Sequence, residues 1–208
     1  MRPVTLVVIA KQPLPGRAKT RLTPPCTADE AASLAGAALL DTLEVVTRTP
    51  AERRVLVFDG DSRRFRRPGL EVIPQRGAGL GERLAAAFED VAGPALLVGM
   101  DTPQLTPSLL LEGIRALSTP TVDAVLGRAA DGGYWSVGLK RSACAAFEGV
   151  PMSCSTTWTR QRARLRALGL RVHDQPPLRD VDTIADARAV AREAPGSRFA
   201  TALAAIAA

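Results

Sequence analysis

The feature that most constrains this chain is a rhythm: short apolar runs closed off by glycine, proline or acidic turns alternate with stretches of helical periodicity. Val4 to Ala10, Arg54 to Phe58, Leu70 to Pro74 and Ala95 to Met100 read as strands, short and rich in Val, Leu and Ile. Between the first two, Thr27-Ala-Asp-Glu30 matches a capping box. It opens a helix to about Thr47, with Leu34, Ala38 and Val45 on its inner face. Gly77-Ala-Gly-Leu-Gly81 leads into a second helix, from Glu82 to about Val91. Strands that alternate with helices argue for an α/β fold, a mostly parallel sheet with helices on both faces.

The rhythm continues past Met100 with a helix from about Pro107 to Leu117, then breaks. Asp123 to Gly127 and Tyr134 to Leu139 read as strands joined by the turn Asp131-Gly-Gly133, too short a connection for a parallel crossover. An antiparallel insertion is therefore expected there. A short helix around Ser142 to Phe147, a polar loop from Pro151 to Thr157 and a basic helix from Trp158 to Leu168 follow. Leu170 to Asp174 reads as a last strand, Asp180-Val-Asp-Thr183 caps a helix from Ile184 to about Arg192, and an Ala-rich helix runs from Ser197 to the end. No composition break or repeat divides the chain, so residues 1–208 are expected to form one domain.

Aromatic residues make up only 4% of the chain, so Ala, Val and Leu must build the core. No apolar run approaches the roughly 20 residues of a membrane span, and nothing at the N-terminus has the cleavage pattern of a secretory leader. Cys26, Cys144 and Cys154 lie far apart, which suits free thiols in a cytoplasmic protein. Of 27 basic side chains, 24 are arginine, and the net charge is +6. They are spread along the chain, and the one dense cluster, Arg63-Arg64-Phe65-Arg66-Arg67, reads as a solvated loop. Phosphate-bearing small molecules are thus expected as partners, and nucleic acid is not.

Chemistry concentrates at strand ends. Asp101 closes the run Ala95-Leu-Leu-Val-Gly-Met100, and Pro103 stops the strand from continuing. Ligands of parallel α/β sheets sit at the carboxyl ends of strands, where an aspartate can hold a divalent cation and through it a phosphate. It can equally cap a turn beside Thr102. After the first strand, Lys11, Gly16, Arg17, Lys19 and Arg21 share one Gly/Pro loop, whose cations and exposed backbone suit a phosphate. Neither a P-loop nor a dinucleotide fingerprint is present. Gly79 and Gly81 allow close backbone approach to a base or sugar. Asp131 stands before Gly132 and Gly133, with Tyr134 and Trp135 offering flat surfaces to an acceptor. Asp180 and Asp182 precede a helix, where Asp182 could serve as cap or as second metal ligand. His173 is the lone histidine and reads as structural.

Taken in order, Lys11-x-Pro-x-x-Gly16-x-x-Lys19-Thr-Arg21-Leu, Gly79-Leu-Gly-Glu-Arg83-Leu, Gly99-Met-Asp101-Thr-Pro-x-Leu-Thr-Pro107, Asp131-Gly-Gly-Tyr134 and Asp180-Val-Asp-Thr183 resemble the DUF2064 family. That family is also called radical-SAM/selenodomain-associated transferase 1. A more distant likeness, through Lys11 and Ala18-Lys-Thr-Arg-Leu22, is to 2-phospholactate guanylyltransferases and MobA-like nucleotidyltransferases. The resemblance implies a single-domain, GT-A-like nucleotide-diphospho-sugar transferase fold, a Rossmann-like three-layer sandwich with an antiparallel insertion. It also implies a Mg²⁺ or Mn²⁺ ion at Asp101 and Asp182, with Lys19 and Arg21 on phosphates. Here Asp101 is followed by Thr102-Pro103 rather than forming the Asp-x-Asp common among GT-A enzymes.

Three activities follow as expectations. The first is a metal-dependent glycosyltransferase, with Asp101, Asp131, Lys19 and Arg21 in the catalytic machinery and Asp131 a candidate base. It would move a sugar from a nucleotide sugar to a small acceptor. The second is a nucleotidyltransferase joining an NTP to a phosphorylated or carboxylated acceptor with release of pyrophosphate. The third is a nucleotide-binding protein without turnover. Donor base, acceptor and oligomeric state are not encoded in any motif of the sequence.

Overall fold

The computed structural model describes residues 3–141 and 144–206. Among these, seven strands form one sheet: β1 (Thr5–Lys11), β2 (Arg53–Asp59), β3 (Glu71–Pro74), β4 (Ala95–Val98), β5 (Ala124–Ala129), β6 (Tyr134–Leu139) and β7 (Val172–Leu178). Their order is β3-β2-β1-β4-β6-β5-β7. The helices are α1 (Ala28–Arg48), α2 (Leu80–Val91), α3 (Pro107–Ser118), α4 (Thr157–Ala167), α5 (Ile184–Glu193) and α6 (Arg198–Ile206).

Alternation along the strands sorts side chains to two faces. Leu6 and Val8 of β1 pack with Leu39 and Leu43 of α1 and Leu110 and Leu117 of α3 on one face. Val7 points the other way, to Leu84 and Phe88 of α2 and Leu165 of α4. A third apolar cluster lies outside the sheet, where Leu34 and Ala38 of α1 meet Val190 of α5, Phe199 and Leu203 of α6, and Leu22 and Val181 from two loops. Ala, Val and Leu dominate all three, with Phe88 and Phe199 as the largest fully buried side chains.

All pairings are parallel except those of β6, which runs antiparallel between β4 and β5. The expected antiparallel insertion is therefore a single strand, wedged into the middle of the sheet. The Thr27 capping box forms as expected: the Thr27 hydroxyl accepts from the Glu30 amide, and the Glu30 carboxylate accepts from the Thr27 amide at 2.7 Å.

Several boundaries differ from the sequence reading. The last strand runs Val172–Leu178, not Leu170 to Asp174. Pro176 and Pro177 fall inside it, because β7 is an edge strand paired only with β5, and an edge tolerates residues that cannot donate on the open side. Helix α2 begins at Leu80 with Gly79 as its N-cap, so Gly81 lies inside its first turn. Thr183, not Asp182, caps α5, in a capping box closed by Asp186. The helix expected from Ser142 is a single 3-10 turn, Cys144–Ala146, and Ser142 lies outside the described residues. The Arg63–Arg67 cluster makes an exposed 3-10 turn anchored by the buried Phe65.

Candidate active site

At β1 the sheet reverses its direction of growth: β2 and β3 add on one side, β4 on the other. Connections leaving the two sides diverge, and the crevice this opens at the strands' carboxyl ends is where such sheets bind ligands. Lys11 ends β1 and Gly99-Met100-Asp101 follows β4. Two chambers occupy the crevice. One, of about 490 Å³, is walled by Lys11, Gln75, Ala78, Arg83 and Asp101. The other, of about 230 Å³, is walled by Asp101, Thr102, Asp131, Gly133, Met152 and Asp180. Leu80, Gly99, Asp101, Tyr134, Trp135 and Ser153 belong to both, so the chambers share a wall whose one carboxylate is Asp101.

The basic loop folds back over this junction. Lys19 takes a left-handed backbone conformation, φ 51°, and its side chain is 11% exposed. Its Nζ lies 2.8 Å from Asp101 Oδ1 and also donates to the Val181 carbonyl. The Val181 amide in turn donates to the Asp101 carbonyl at 3.0 Å. Arg21 is ion-paired with Asp182, and this contact, with Asp131 further off, raises the pKa of its guanidinium. Leu22 and Val181, neighbours of these pairs, are buried in the third apolar cluster. Loop 12–26 and segment 180–182 are thereby joined by two ion pairs or hydrogen bonds above and one hydrophobic contact region below.

The Asp131-Gly132-Gly133 turn brings another carboxylate to the smaller chamber. The Gly133 amide donates to Asp131 Oδ1 at 2.6 Å, and the Asp131 amide points to Asp180 Oδ1 at 3.4 Å. Gly132 has φ +92°, and a Cβ there would lie 2.1 Å from the Ser155 carbonyl oxygen, so only glycine lets this turn pass the Ser153–Thr157 loop. Burial pushes the Asp180 carboxyl above the usual carboxylate range, and the charge of Asp131 adds to the shift while Lys19 opposes it. Tyr134 turns its hydroxyl to Met152 Sδ and Gln161 Oε1, at 3.6 and 3.4 Å, and burial raises its pKa. Trp135 is 3% exposed and donates from Nε1 to the Pro176 carbonyl at 3.0 Å, so it forms chamber wall with its ring held in the core.

On the larger chamber's side, Arg83 organises the wall. Its Nη1 reaches Asp59 Oδ2 at 2.9 Å and Gln75 Oε1 at 3.2 Å, and its Nε donates to the Gly77 carbonyl. Gln75 Nε2 donates to the Ala10 carbonyl at 2.6 Å, which fixes which way its amide faces. Lys11 lines the chamber, whereas Gly16 and Arg17 sit on the exposed bend of the loop and line neither chamber. Gly79 and Gly81 lie at the start of α2, beside Met152 and Phe147. Sequence reasoning passed over Gln75 and Thr102, whereas the expected convergence of Asp131 and Asp180 on Asp101 appears in the smaller chamber's wall, which Asp182 does not line. A polar side chain directly after a strand, as Gln75 follows β3, was the available signal.

Among the described residues no three carboxylate, histidine or cysteine side chains stand close enough together to hold an ion by themselves. Asp101 and Asp182 each carry a cationic side chain from the same loop, so positive charge already occupies the place a dication would take. All-oxygen donors suit Mg²⁺ or Mn²⁺, which commonly take one or two carboxylates and complete their shell with substrate phosphates and water. By donor chemistry Asp101 and Asp182 fit an ion of that kind, carried in with a diphosphate, and of the two Asp101 lines the chambers while Asp182 lines neither. His173, 3.3 Å from Glu112 Oε1 on α3, lies outside both chambers.

A mostly parallel sheet in this order, with a cationic loop after its first strand and a carboxylate after its fourth, is the fold of nucleotide-diphospho-sugar transferases and nucleotidyltransferases. The chain is similar over its whole length to a crystal structure from Desulfovibrio desulfuricans G20, provisionally named a nucleotide-diphospho-sugar transferase: 27% identity, TM-score 0.84, 98% of this chain and 94% of that one. It shares its fold with a manganese complex of a Mycobacterium tuberculosis H37Rv protein, at 21% identity, TM-score 0.57 and coverage of 90% and 97%. It also shares it with CMP:2-keto-3-deoxy-manno-octonic acid synthetase complexed with CTP, at 14% identity, TM-score 0.60 and coverage of 91% and 97%. The chain belongs to the DUF2064 family, described as uncharacterized proteins conserved in bacteria, whose model matches residues 42–154. A search of curated proteins returned no match. Among the described residues no helix is long and apolar enough to cross a membrane.

Proposed function

We propose that the protein is a metal-dependent GT-A-like glycosyltransferase that takes a nucleotide sugar in the larger chamber and a small acceptor in the smaller one. The observation that carries this reading is the position of Asp101, the carboxylate on the wall that the two chambers share and the side chain to which the basic loop delivers Lys19. The donor's sugar–diphosphate bond would break there as the acceptor hydroxyl bonds to the sugar, with cations on the diphosphate side and carboxylates on the other.

Asp101 and Asp182 would hold the divalent ion, and the fold's manganese-bound relative supports that choice of metal. Bound there, such an ion supplies neutralising charge to the departing nucleoside diphosphate. The chain's own residues do the rest. Lys19 and Arg21 come from the same loop as Lys11 and add positive charge at the diphosphate. Gln75 and Arg83, braced on backbone carbonyls and Asp59, wall the nucleoside end. Asp131, its Oδ1 fixed by the Gly133 amide, presents its other oxygen as the base for an incoming hydroxyl. Among the described residues no cysteine or histidine lines either chamber as a dedicated nucleophile, so direct displacement is the simpler course. Free Cys26, Cys144 and Cys154 suit a cytoplasmic setting.

The test is calorimetric titration of nucleoside diphosphates and nucleotide sugars with and without Mn²⁺, in the native chain and in Asp101→Ala. Binding that tightens with Mn²⁺, and loses that gain in the variant, is expected, about tenfold or more for one lost charged ligand. Equal affinity with and without Mn²⁺ removes the metal from the reading. Product analysis then separates glycosyl from nucleotidyl transfer: nucleoside diphosphate released from a nucleotide sugar supports the former, pyrophosphate released from an NTP the latter.

A further inference from the structure

The smaller chamber has a charge pattern of its own. Asp101, Asp131 and Asp180 all face it, and among the described residues no arginine or lysine lines its wall. Of the cations of the basic loop, Lys19 is held on Asp101 Oδ1 and Arg21 on Asp182. Among the described residues one oxygen each of Asp131 and Asp180 is left without a hydrogen-bond donor. The remaining wall is apolar, with Leu80, Ala129, Trp135 and Met152, and a charge facing such a wall is screened less than one in open water.

A second, independent feature points to a ligand. Thr102 is 2% exposed and lines this chamber, yet its Oγ1 has no hydrogen-bond partner. A buried hydroxyl left unpaired costs free energy, and Thr102 is a wall residue of this chamber, directly after Asp101. Thr102 neither caps a helix nor closes a turn through its side chain: Thr106 caps α3.

We propose that the smaller chamber selects an acceptor that enters through hydroxyl or ammonium groups and rejects one that enters through a phosphate or carboxylate. The carboxylates of Asp131 and Asp180 accept hydrogen bonds from the acceptor, and the Thr102 hydroxyl takes a further contact deep in the wall. A chamber of about 230 Å³ holds one sugar ring or short polyol and little more. This inference rests on the glycosyltransferase reading for the word acceptor. It separates that reading from transfer onto a phosphorylated or carboxylated molecule, for which the chamber has the wrong sign.

Three small probes of nearly equal size test it: serinol (2-amino-1,3-propanediol, cationic), glycerol (neutral) and glycerate (anionic). Each is titrated into nucleotide-free protein while the amide signals of Thr102, Gly133 and Tyr134 are followed by NMR. Serinol is expected to bind at least about tenfold more tightly than glycerate, with glycerol between them. Asp131→Asn, on an exposed turn, should shrink that ratio to about threefold or less, and Thr102→Val should weaken serinol and glycerol alike. Glycerate binding as tightly as serinol, no shift with serinol, or a ratio unchanged in Asp131→Asn overturns the proposal. Because no nucleotide is present, these outcomes are independent of the Mn²⁺ titration that tests the reading beneath it.

Discussion

Lys19 holds the position that an incoming dication must contest. Its ammonium is 2.8 Å from Asp101 Oδ1, on a side chain only 11% exposed, and its left-handed backbone aims it there. An ion approaching Asp101 in the absence of nucleotide therefore meets a carboxylate already neutralised. With a diphosphate present, the ammonium has a second anion to move to, so metal and nucleotide should bind cooperatively. Removing the ammonium should remove that dependence. Lys19→Met is expected to tighten Mn²⁺ binding to the nucleotide-free protein roughly fivefold, about the 1 kcal/mol of a partly exposed ion pair, as read from the free-Mn²⁺ electron paramagnetic resonance signal. Unchanged or weaker Mn²⁺ binding would show that Lys19 does not compete for Asp101.

At the scale of elements, the edge strand β7 is held to the sheet by a joint at its beginning. Arg171 donates from Nε and Nη2 to Asp123, at 2.7 and 3.1 Å, and the Arg171 amide adds a third bond at 3.1 Å. Mainly through that guanidinium, the Asp123 carboxyl is held down to about 2, from an ordinary 3.8. A folded-state pKa below the unfolded one means the stabilisation is complete above about pH 4 and is lost as pH falls through about 2. Asp123→Asn should therefore lower stability near neutrality and match the native chain at about pH 2. The pair is partly solvated, with side chains 26% and 56% exposed, so the loss should stay under about 1 kcal/mol. Urea midpoints measured across that pH range give the answer. A constant difference at all pH values would mean that packing, not charge, is what the substitution removes.

For the molecule as a whole, the third apolar cluster couples the C-terminal helix to the site. Phe199 of α6 is 1% exposed and packs in the same cluster as Leu22 and Val181, which neighbour Arg21 and Asp182. Asp41 of α1, itself buried, accepts from the Arg198 and Phe199 amides and fixes the start of α6. Phe199→Ala should cost about 3–5 kcal/mol of stability, the usual range for emptying a buried phenylalanine site, measured by chemical denaturation. Because the cavity opens beneath the loop, amide exchange at Leu22 and Val181 should accelerate more than at Val7 or Val137 in the other cluster. Uniform acceleration would show that the third cluster does not hold the loop separately.

Much of this protein is written locally. Periodicity marks the strands and helices in order, Thr27 and Glu30 name the first helix's start, and the one-turn link Asp131-Gly-Gly133 announces an antiparallel strand. Such signals survive in one dimension because they depend on neighbours a few residues apart. What only the tertiary structure decides depends on partners that the chain brings together from afar. The Lys19 contact to Val181 spans 162 residues, and that of Arg21 to Asp182 spans 161. Local reading left Asp182 divided between helix cap and metal ligand. In the fold Thr183 does the capping, Asp182 meets Arg21, and Asp180 turns to the chamber beside Asp131. Likewise the last strand, read locally as Leu170 to Asp174, runs on through Pro176-Pro177 only because β7 lies at the sheet's edge, where one side needs no donors. Asp101 is legible as a carboxylate closing a strand. That it stands between a cationic chamber and an acidic one follows from the order of strands in the sheet, which no local pattern records.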